Sequence, residues 1–182
     1  MEKIYTSLGL MSGTSMDGID ASIIKSNGED KYEVVFNQYF KYNDEIYEEL
    51  VEIRNKINSS KDLKVKSIAL ADIERKITLF HASACKKIIS EYSYNIDLIG
   101  FHGQTIFHNA DEKISKQLGN ANLLSELLKK KVVHNFREKD MLNGGQGAPL
   151  APIFHQLIIN QNQIGLPTCI LNIGGIANIT LI

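Results

Sequence analysis

Residues 8–21 read Leu-Gly-Leu-Met-Ser-Gly-Thr-Ser-Met-Asp-Gly-Ile-Asp-Ala. An apolar run from Ile4 to Leu10 enters a turn built from Gly13, Thr14, Ser15, Asp17 and Gly18, and a second run, Ile19 to Ile24, leaves it. Glycines let backbone N–H groups approach an anion closely, and hydroxyls add donors. Asp17 and Asp20 cannot bind phosphate directly, but they can hold Mg²⁺ or its waters, and the metal then bridges to phosphate. The stretch reads as a nucleotide-phosphate hairpin. A plain hairpin turn accounts for the same residue types, because Gly, Ser and Asp favour turn conformations.

Two other readings fail. A P-loop requires Gly-x-x-x-x-Gly-Lys-Ser/Thr. Gly13 and Gly18 have the spacing, but Ile19 stands where the lysine belongs. Subtilisin-like proteases carry Gly-Thr-Ser-Met at their nucleophile, yet their chain order is Asp, His, Ser. Here Ser15 precedes every histidine.

The 182 residues are 43% hydrophobic, enough for one or two domains with a sizeable core. A net charge of −1 argues against nucleic acid or an anionic membrane as partner. Lys129-Lys130-Lys131 reads as a solvated helix terminus. The two cysteines, Cys85 and Cys169, stand in no paired motif, which fits a reducing compartment and neither a disulfide framework nor a zinc site. Met1-Glu2-Lys3 leads straight into a strand, so no signal peptide is expected, and a cytoplasmic location is the default.

Strands are expected over 3–10, 19–26 and 31–40, with Asn27-Gly28 as a hairpin turn. Helices are expected over 44–57 and 67–92. In the second, Leu70, Ile73, Ile77, Phe80, Ala84 and Ile88 form one stripe. A buried strand over 96–101, a hairpin region to Gly119, a helix over 122–131 and a strand over 132–136 follow. The Arg137–Pro149 loop precedes a helix over 150–160, and strands 168–173 and 176–182 flank Gly174-Gly175. The order β-β-β-α-β-α-β matches a ribonuclease-H-like α/β lobe with a mixed sheet, here 1–165. Residues 166–182 look like the opening hairpin of a second, truncated lobe. The chain stops at Leu181-Ile182, inside an apolar strand, and reads as cut short.

Gly100-Phe101-His102-Gly103-Gln104-Thr105 ends a buried strand, where open α/β sheets face their ligand crevice. His102, Gln104 and Thr105 suit a polar ligand such as a sugar, or else form a polar loop whose histidine bonds a backbone carbonyl. A zinc site from His102 and His108 lacks further ligands at a recognised spacing. Asn135-Phe136-Arg137-Glu138-Lys139-Asp140 leads into Asn143-Gly144-Gly145-Gln146-Gly147-Ala148-Pro149-Leu150. Arg137 can clamp a carboxylate or phosphate. Asp140 reads as a base, a magnesium ligand or the salt-bridge partner of Arg137. Leu171 to Ile179 forms a second small-residue hairpin. Two such hairpins can grip a polyphosphate from opposite lobes, as in actin, hexokinase and Hsp70.

Together, Gly-Leu-Met-Ser-Gly-Thr-Ser-Met-Asp-Gly-Ile-Asp, His-Gly-Gln-Thr, Gly-Gly-Gln-Gly-Ala-Pro-Leu-Ala-Pro and Leu-Asn-Ile-Gly-Gly-Ile-Ala-Asn resemble the anhydro-N-acetylmuramic acid kinase family of the sugar-kinase/actin/Hsp70 superfamily. The resemblance implies ATP-dependent opening of the 1,6-anhydro ring of anhydro-N-acetylmuramic acid with phosphorylation at O6, giving N-acetylmuramic acid 6-phosphate in cell-wall recycling. It implies ATP and Mg²⁺ contacts at Gly13, Thr14, Ser15, Met16, Asp17, Gly18, Ile19 and Asp20, with the metal at Asp17 and Asp20, and further phosphate contacts at Gly174 and Gly175. It implies a sugar cleft bordered by His102, Gln104, Thr105, Arg137, Gly145 and Gln146. Two departures stand out. Asn135 replaces the Asp usual before Phe-Arg. The family's Gly-x-Asp-x-Gly-Pro-Gly-Asn segment, whose aspartate activates water, is absent from these 182 residues, so the family base is expected beyond Ile182. Asp140 is then the catalytic candidate within the chain. The resemblance thus describes the N-terminal part of a kinase that is inactive alone. A non-catalytic remnant, half of a split enzyme needing a C-terminal-half polypeptide, or a kinase for another sugar are the alternatives.

Overall fold

The chain begins with three strands, β1 (Tyr5–Ser12), β2 (Gly18–Ser26) and β3 (Tyr32–Lys41), in an antiparallel meander. This computed structural model describes residues 3–92, 94–173 and 177–182. Period-two alternation sends Leu8 and Leu10 of β1 and Ile19, Ala21 and Ile23 of β2 into the core. Met11 and Asp20, which pair with each other, stay on the open face.

Helix α1 (Asp44–Asn55) is capped by Asn43, whose side chain accepts from the Ile46 amide at 2.9 Å. The short α2 (Ser60–Val65), not expected from the sequence, forms because the Asp62 carboxylate collects the Asn58 and Ser59 amides. Helix α3 spans Ser67–Tyr92 as the apolar stripe requires, burying Leu70, Ile73, Ile77 and Ile88. With α1 and α4 (Ala121–Leu128) it covers one face of the sheet.

Strand β4 (Leu98–Asn109) runs parallel to β1 and continues past the expected end. Its first half pairs with the parallel β6 (Lys131–Val133), and its second half with the antiparallel β5 (Ile114–Leu118). The sheet thus runs β3-β2-β1-β4, with β5 and β6 sharing the last edge. This is an α/β architecture with a mixed sheet of the kind that a sugar-kinase lobe requires.

Several boundaries differ from expectation for local reasons. α4 ends at Leu128 because Lys129 takes a left-handed φ of 53°, and β6 stops before Asn135, left-handed at 59°. The expected Arg137–Pro149 loop contains a short helix, α5 (Glu138–Leu142). Helix α6 (Pro152–Gln161) follows, with proline in its first turn. Strands β7 (Cys169–Asn172) and β8 (Asn178–Leu181) pair only with each other among the described residues. The expected second strand over 176–182 is therefore shorter: Ile182 lies just past β8. Its amide donates to the Thr168 carbonyl at 2.9 Å, and its carbonyl accepts from the Thr168 amide at 2.8 Å. Leu171, Ile179 and Leu181 are mostly exposed on that hairpin, while Thr180 is buried against His155 of α6 at 2.8 Å. No helix among the described residues is long and apolar enough to cross a membrane.

Candidate phosphate and sugar site

The parallel pairing of β1 with β4 ends where β1 does, with Ser12 opposite Gln104, while β4 runs on to Asn109. That end of an open α/β sheet is where ligands bind. The β1–β2 turn projects from it. Its Gly13 carbonyl accepts from the Met16 amide at 3.2 Å. Met16 adopts a left-handed φ of 60°, uncommon outside glycine. Its side chain is buried in the core, and Ile19 is fully buried, so both offer a ligand only their backbone. Thr14, Ser15, Asp17 and Asp20 are exposed.

The Ser15 hydroxyl donates to the Asp17 carboxylate. This bond holds Asp17 below the usual carboxylate range, with the Tyr39 hydroxyl and the Lys41 charge acting in the same direction. Asp17 is therefore an exposed, ionised carboxylate within the β1–β2 turn. Its carbonyl accepts from the Tyr42 amide at 2.8 Å, which fastens the turn to the end of β3. Gly18 is required by close approach: a methyl group there would lie 2.6 Å from the Tyr39 hydroxyl and against the Phe40 carbonyl.

Beneath the turn lies a buried polar chain. Ser12 Oγ is 2.9 Å from the Tyr42 hydroxyl and 3.4 Å from His81 Nε2, and His81 Nδ1 is 2.8 Å from the Ile77 carbonyl. The carbonyl fixes the proton on Nδ1. Nε2 then accepts from Ser12, which accepts from Tyr42. Full burial pushes His81 down to about 4, so the ring is neutral. Burial also raises the Tyr42 phenol above its ordinary value.

A second cluster surrounds His102. Its Nδ1 donates to the Gly103 carbonyl at 2.7 Å, and its Nε2 faces Nε and Nη2 of Arg137 at 3.1 and 2.9 Å. Arg137 Nη1 donates to the Gly147 carbonyl at 2.7 Å. Burial, then the Arg137 charge, pushes His102 to about 4. The Asp140 carboxylate accepts from the Gly147 amide at 2.7 Å, and the Asp140 carbonyl accepts from the Gly145 amide at 2.8 Å. The Asp140–Arg137 salt bridge considered from the sequence is not formed; both side chains hold the glycine loop instead. Gly147, at a φ of 71°, packs on Met141 where a side chain would collide. Asn135 suits its left-handed position, which Asn tolerates better than most residues.

The structure thus gathers Gly13–Asp20 with Gln104, and His102 with Arg137, Asp140 and Gly147, the two groups joined through residues 102–104. Gln104 has no exposed surface and donates to the Gly13 carbonyl at 2.8 Å. Thr105 is half-buried and accepts from Gln117 at 3.2 Å. Gly145 is half-buried and Gln146 exposed. Gly174 and Gly175 lie outside the described residues. Ile182, the residue beyond which the family base is expected, pairs through its backbone with Thr168. Asp17 and Asp20 are both exposed carboxylates, the donor type that a hard cation takes. No group of three or more His, Cys, Asp or Glu side chains among the described residues forms a metal cage.

Ser12, Tyr39, Tyr42 and His81 were not expected as part of the site. For the first three no sequence signal existed, because strand register brings them together. His81 carried one: it follows Ile77 by four positions, on the buried stripe of α3.

Residues 5–182 match the family model described as anhydro-N-acetylmuramic acid kinase. Relatives of that name include the following three. The protein from Pelagibacter ubique (strain HTCC1062) is 66% identical over 182 residues, covering all of this chain and 48% of the relative. That from Agrobacterium fabrum (strain C58 / ATCC 33970) is 37% identical over 187 residues, covering all of this chain and 50% of the relative. That from Rhodopseudomonas palustris (strain BisB18) is 34% identical over 180 residues, covering 97% and 49%. The chain spans about half the length of these curated relatives. With the family model matched along nearly its whole length, the chain belongs to the anhydro-N-acetylmuramic acid kinase family.

Proposed function

We propose that this chain supplies the phosphate hairpin and one wall of the sugar cleft of a kinase that opens the 1,6-anhydro ring of anhydro-N-acetylmuramic acid and phosphorylates O6 from ATP. One observation carries the reading. An exposed, ionised Asp17 stands in a tight turn where the parallel pairing of β1 with β4 ends. The Thr14 hydroxyl and the turn amides other than that of Met16 would meet the phosphate oxygens, while the Ser15 hydroxyl stays on Asp17 and Ser15 offers its amide. Asp17 and Asp20 would hold Mg²⁺, which neutralises charge on the transferring phosphoryl group. Arg137 and His102 fix the Gly144–Gly147 loop that borders the sugar, with Thr105, Gly145 and Gln146 on the same border.

In this reading residues 1–165 are a ribonuclease-H-like lobe and 166–182 open a second one, in which Gly174 and Gly175, outside the described residues, would contact the phosphates from the opposite side. The exposed apolar face of β7 and β8 supports it, since such a face needs a covering layer. The remaining half is a C-terminal polypeptide that carries the water-activating base. A general base contributes roughly 10²- to 10⁴-fold in rate.

ADP release with and without anhydro-N-acetylmuramic acid tests the reading, for residues 1–182, for a relative's C-terminal half and for their mixture. Sugar-dependent turnover by the mixture alone is expected. Absence of turnover in the mixture, with both halves folded, would count against the reading.

A further inference from the structure

The Gln104 side chain is completely buried, yet it is half satisfied. Its Nε2 donates to the Gly13 carbonyl at 2.8 Å and lies 3.4 Å from the Thr105 carbonyl. Its Oε1 is buried and has no hydrogen-bond partner among the described residues. Rotating the amide by half a turn would face Oε1 toward two carbonyl oxygens, so the orientation is determined by its neighbours.

A buried amide that leaves an oxygen unmet is disfavoured relative to an apolar side chain of the same shape. Such an exception in a native core calls for a reason, and the turn supplies one. Met16 holds a left-handed backbone conformation that persists only where its surroundings impose it. Two clamps impose it here: the Met16 side chain, buried in the core, and Gln104, which holds the same Gly13 carbonyl that closes the turn onto the Met16 amide.

We infer that Gln104 is a positioning residue of the phosphate turn and not a sugar contact: it fixes the Gly13 carbonyl so that the turn amides stay directed at the nucleotide. The inference rests on the kinase reading above for its ligand, but not for its geometry.

The test compares the 182-residue chain with its Gln104→Met and Gln104→Leu variants, by amide hydrogen exchange, thermal unfolding, and titration with Mg-ATP and with anhydro-N-acetylmuramic acid. Removing the orphaned oxygen should leave Tm equal to or above that of the parent chain. Exchange at the Met16 amide should rise about fivefold, the effect of one ordinary hydrogen bond. Mg-ATP binding should weaken by a similar factor while sugar binding is unchanged. Unaltered Met16 exchange would overturn the inference, as would loss of sugar affinity with Mg-ATP affinity intact, or a marked fall of Tm in both variants. Should the parent chain fail to bind Mg-ATP, the kinase reading suffers, while exchange and Tm still decide the role of Gln104.

Discussion

Arg137 grips His102 through Nε and Nη2, which lie 3.1 and 2.9 Å from the single ring nitrogen Nε2. A half-buried guanidinium normally finds a carboxylate, and here it finds a neutral imidazole and a backbone carbonyl. The positive charge is left uncompensated by any carboxylate ion pair among the described residues. In the kinase reading this gives the cleft wall a net attraction for an anionic ligand, such as the carboxylate of a lactyl-bearing amino sugar. Burial, and next the Arg137 charge, keeps His102 from protonating.

Stability should therefore depend on acid. His81 and His102 are both held near 4, mainly by burial, against about 6.5 in an unfolded chain. The unfolded state binds more protons across that window, so stability is complete above about pH 6.5 and falls as pH drops toward 4. Thermal unfolding followed from pH 7.5 to 4 should show Tm declining in this range. The His102→Gln variant should flatten the decline. A Tm independent of pH between 7 and 4.5 would contradict the buried neutral imidazoles.

The Ser12 hydroxyl should act as a joint between Tyr42 and His81. Ser12→Ala leaves Tyr42 and His81 Nε2 without their partner and should cost about 1–3 kcal/mol. Tyr42→Phe should cost about 1 kcal/mol. Because both variants break the same chain, the double variant should cost less than the sum. Urea unfolding of the four proteins measures the coupling, and strict additivity would show that the 2.9 Å contact contributes nothing.

Asp17→Ala should leave the fold intact, because the carboxylate is exposed and surface substitutions seldom exceed about 0.5 kcal/mol. Mg-ATP affinity should drop about tenfold, the scale of one charge-assisted contact. Chemical-shift titration with Mg-ATP, beside thermal unfolding, separates the two effects. Equal Mg-ATP affinity in the variant would remove Asp17 from the phosphate site.

Asp140 offers a contrast between loop support and catalysis. Asn can still accept from the Gly147 amide, whereas Ala cannot. Asp140→Asn should keep the 143–148 amides protected from exchange, and Asp140→Ala should expose them. In the reconstituted kinase Asp140→Asn should retain most turnover. A loss of about 10²-fold or more in that variant, with the loop still protected, would make Asp140 the base.

Much of the molecule could be read before folding. The alternation in 5–12 and 18–26, the period of Leu70, Ile73, Ile77 and Ile88, and the turn chemistry of residues 13–18 are local patterns. They determined the meander, α3 and the turn between β1 and β2, and the combined motifs indicated the family. The partners of those residues were not legible. Gln104 reads as a ligand for sugar because its neighbours are polar, but the parallel pairing of β1 with β4 turns it inward onto Gly13, 91 positions away. An ion pair with Arg137 was one of three readings of Asp140, suggested by closeness in sequence, but the Gly147 backbone is the partner of each side chain. Tyr42, Ser12 and His81 come from a strand end, another strand end and a helix, and nothing in their spacing links them. Periodicity and turn propensity are written residue by residue along the chain. Which buried polar atom meets which depends on register and packing between distant segments, and only the tertiary structure decided that.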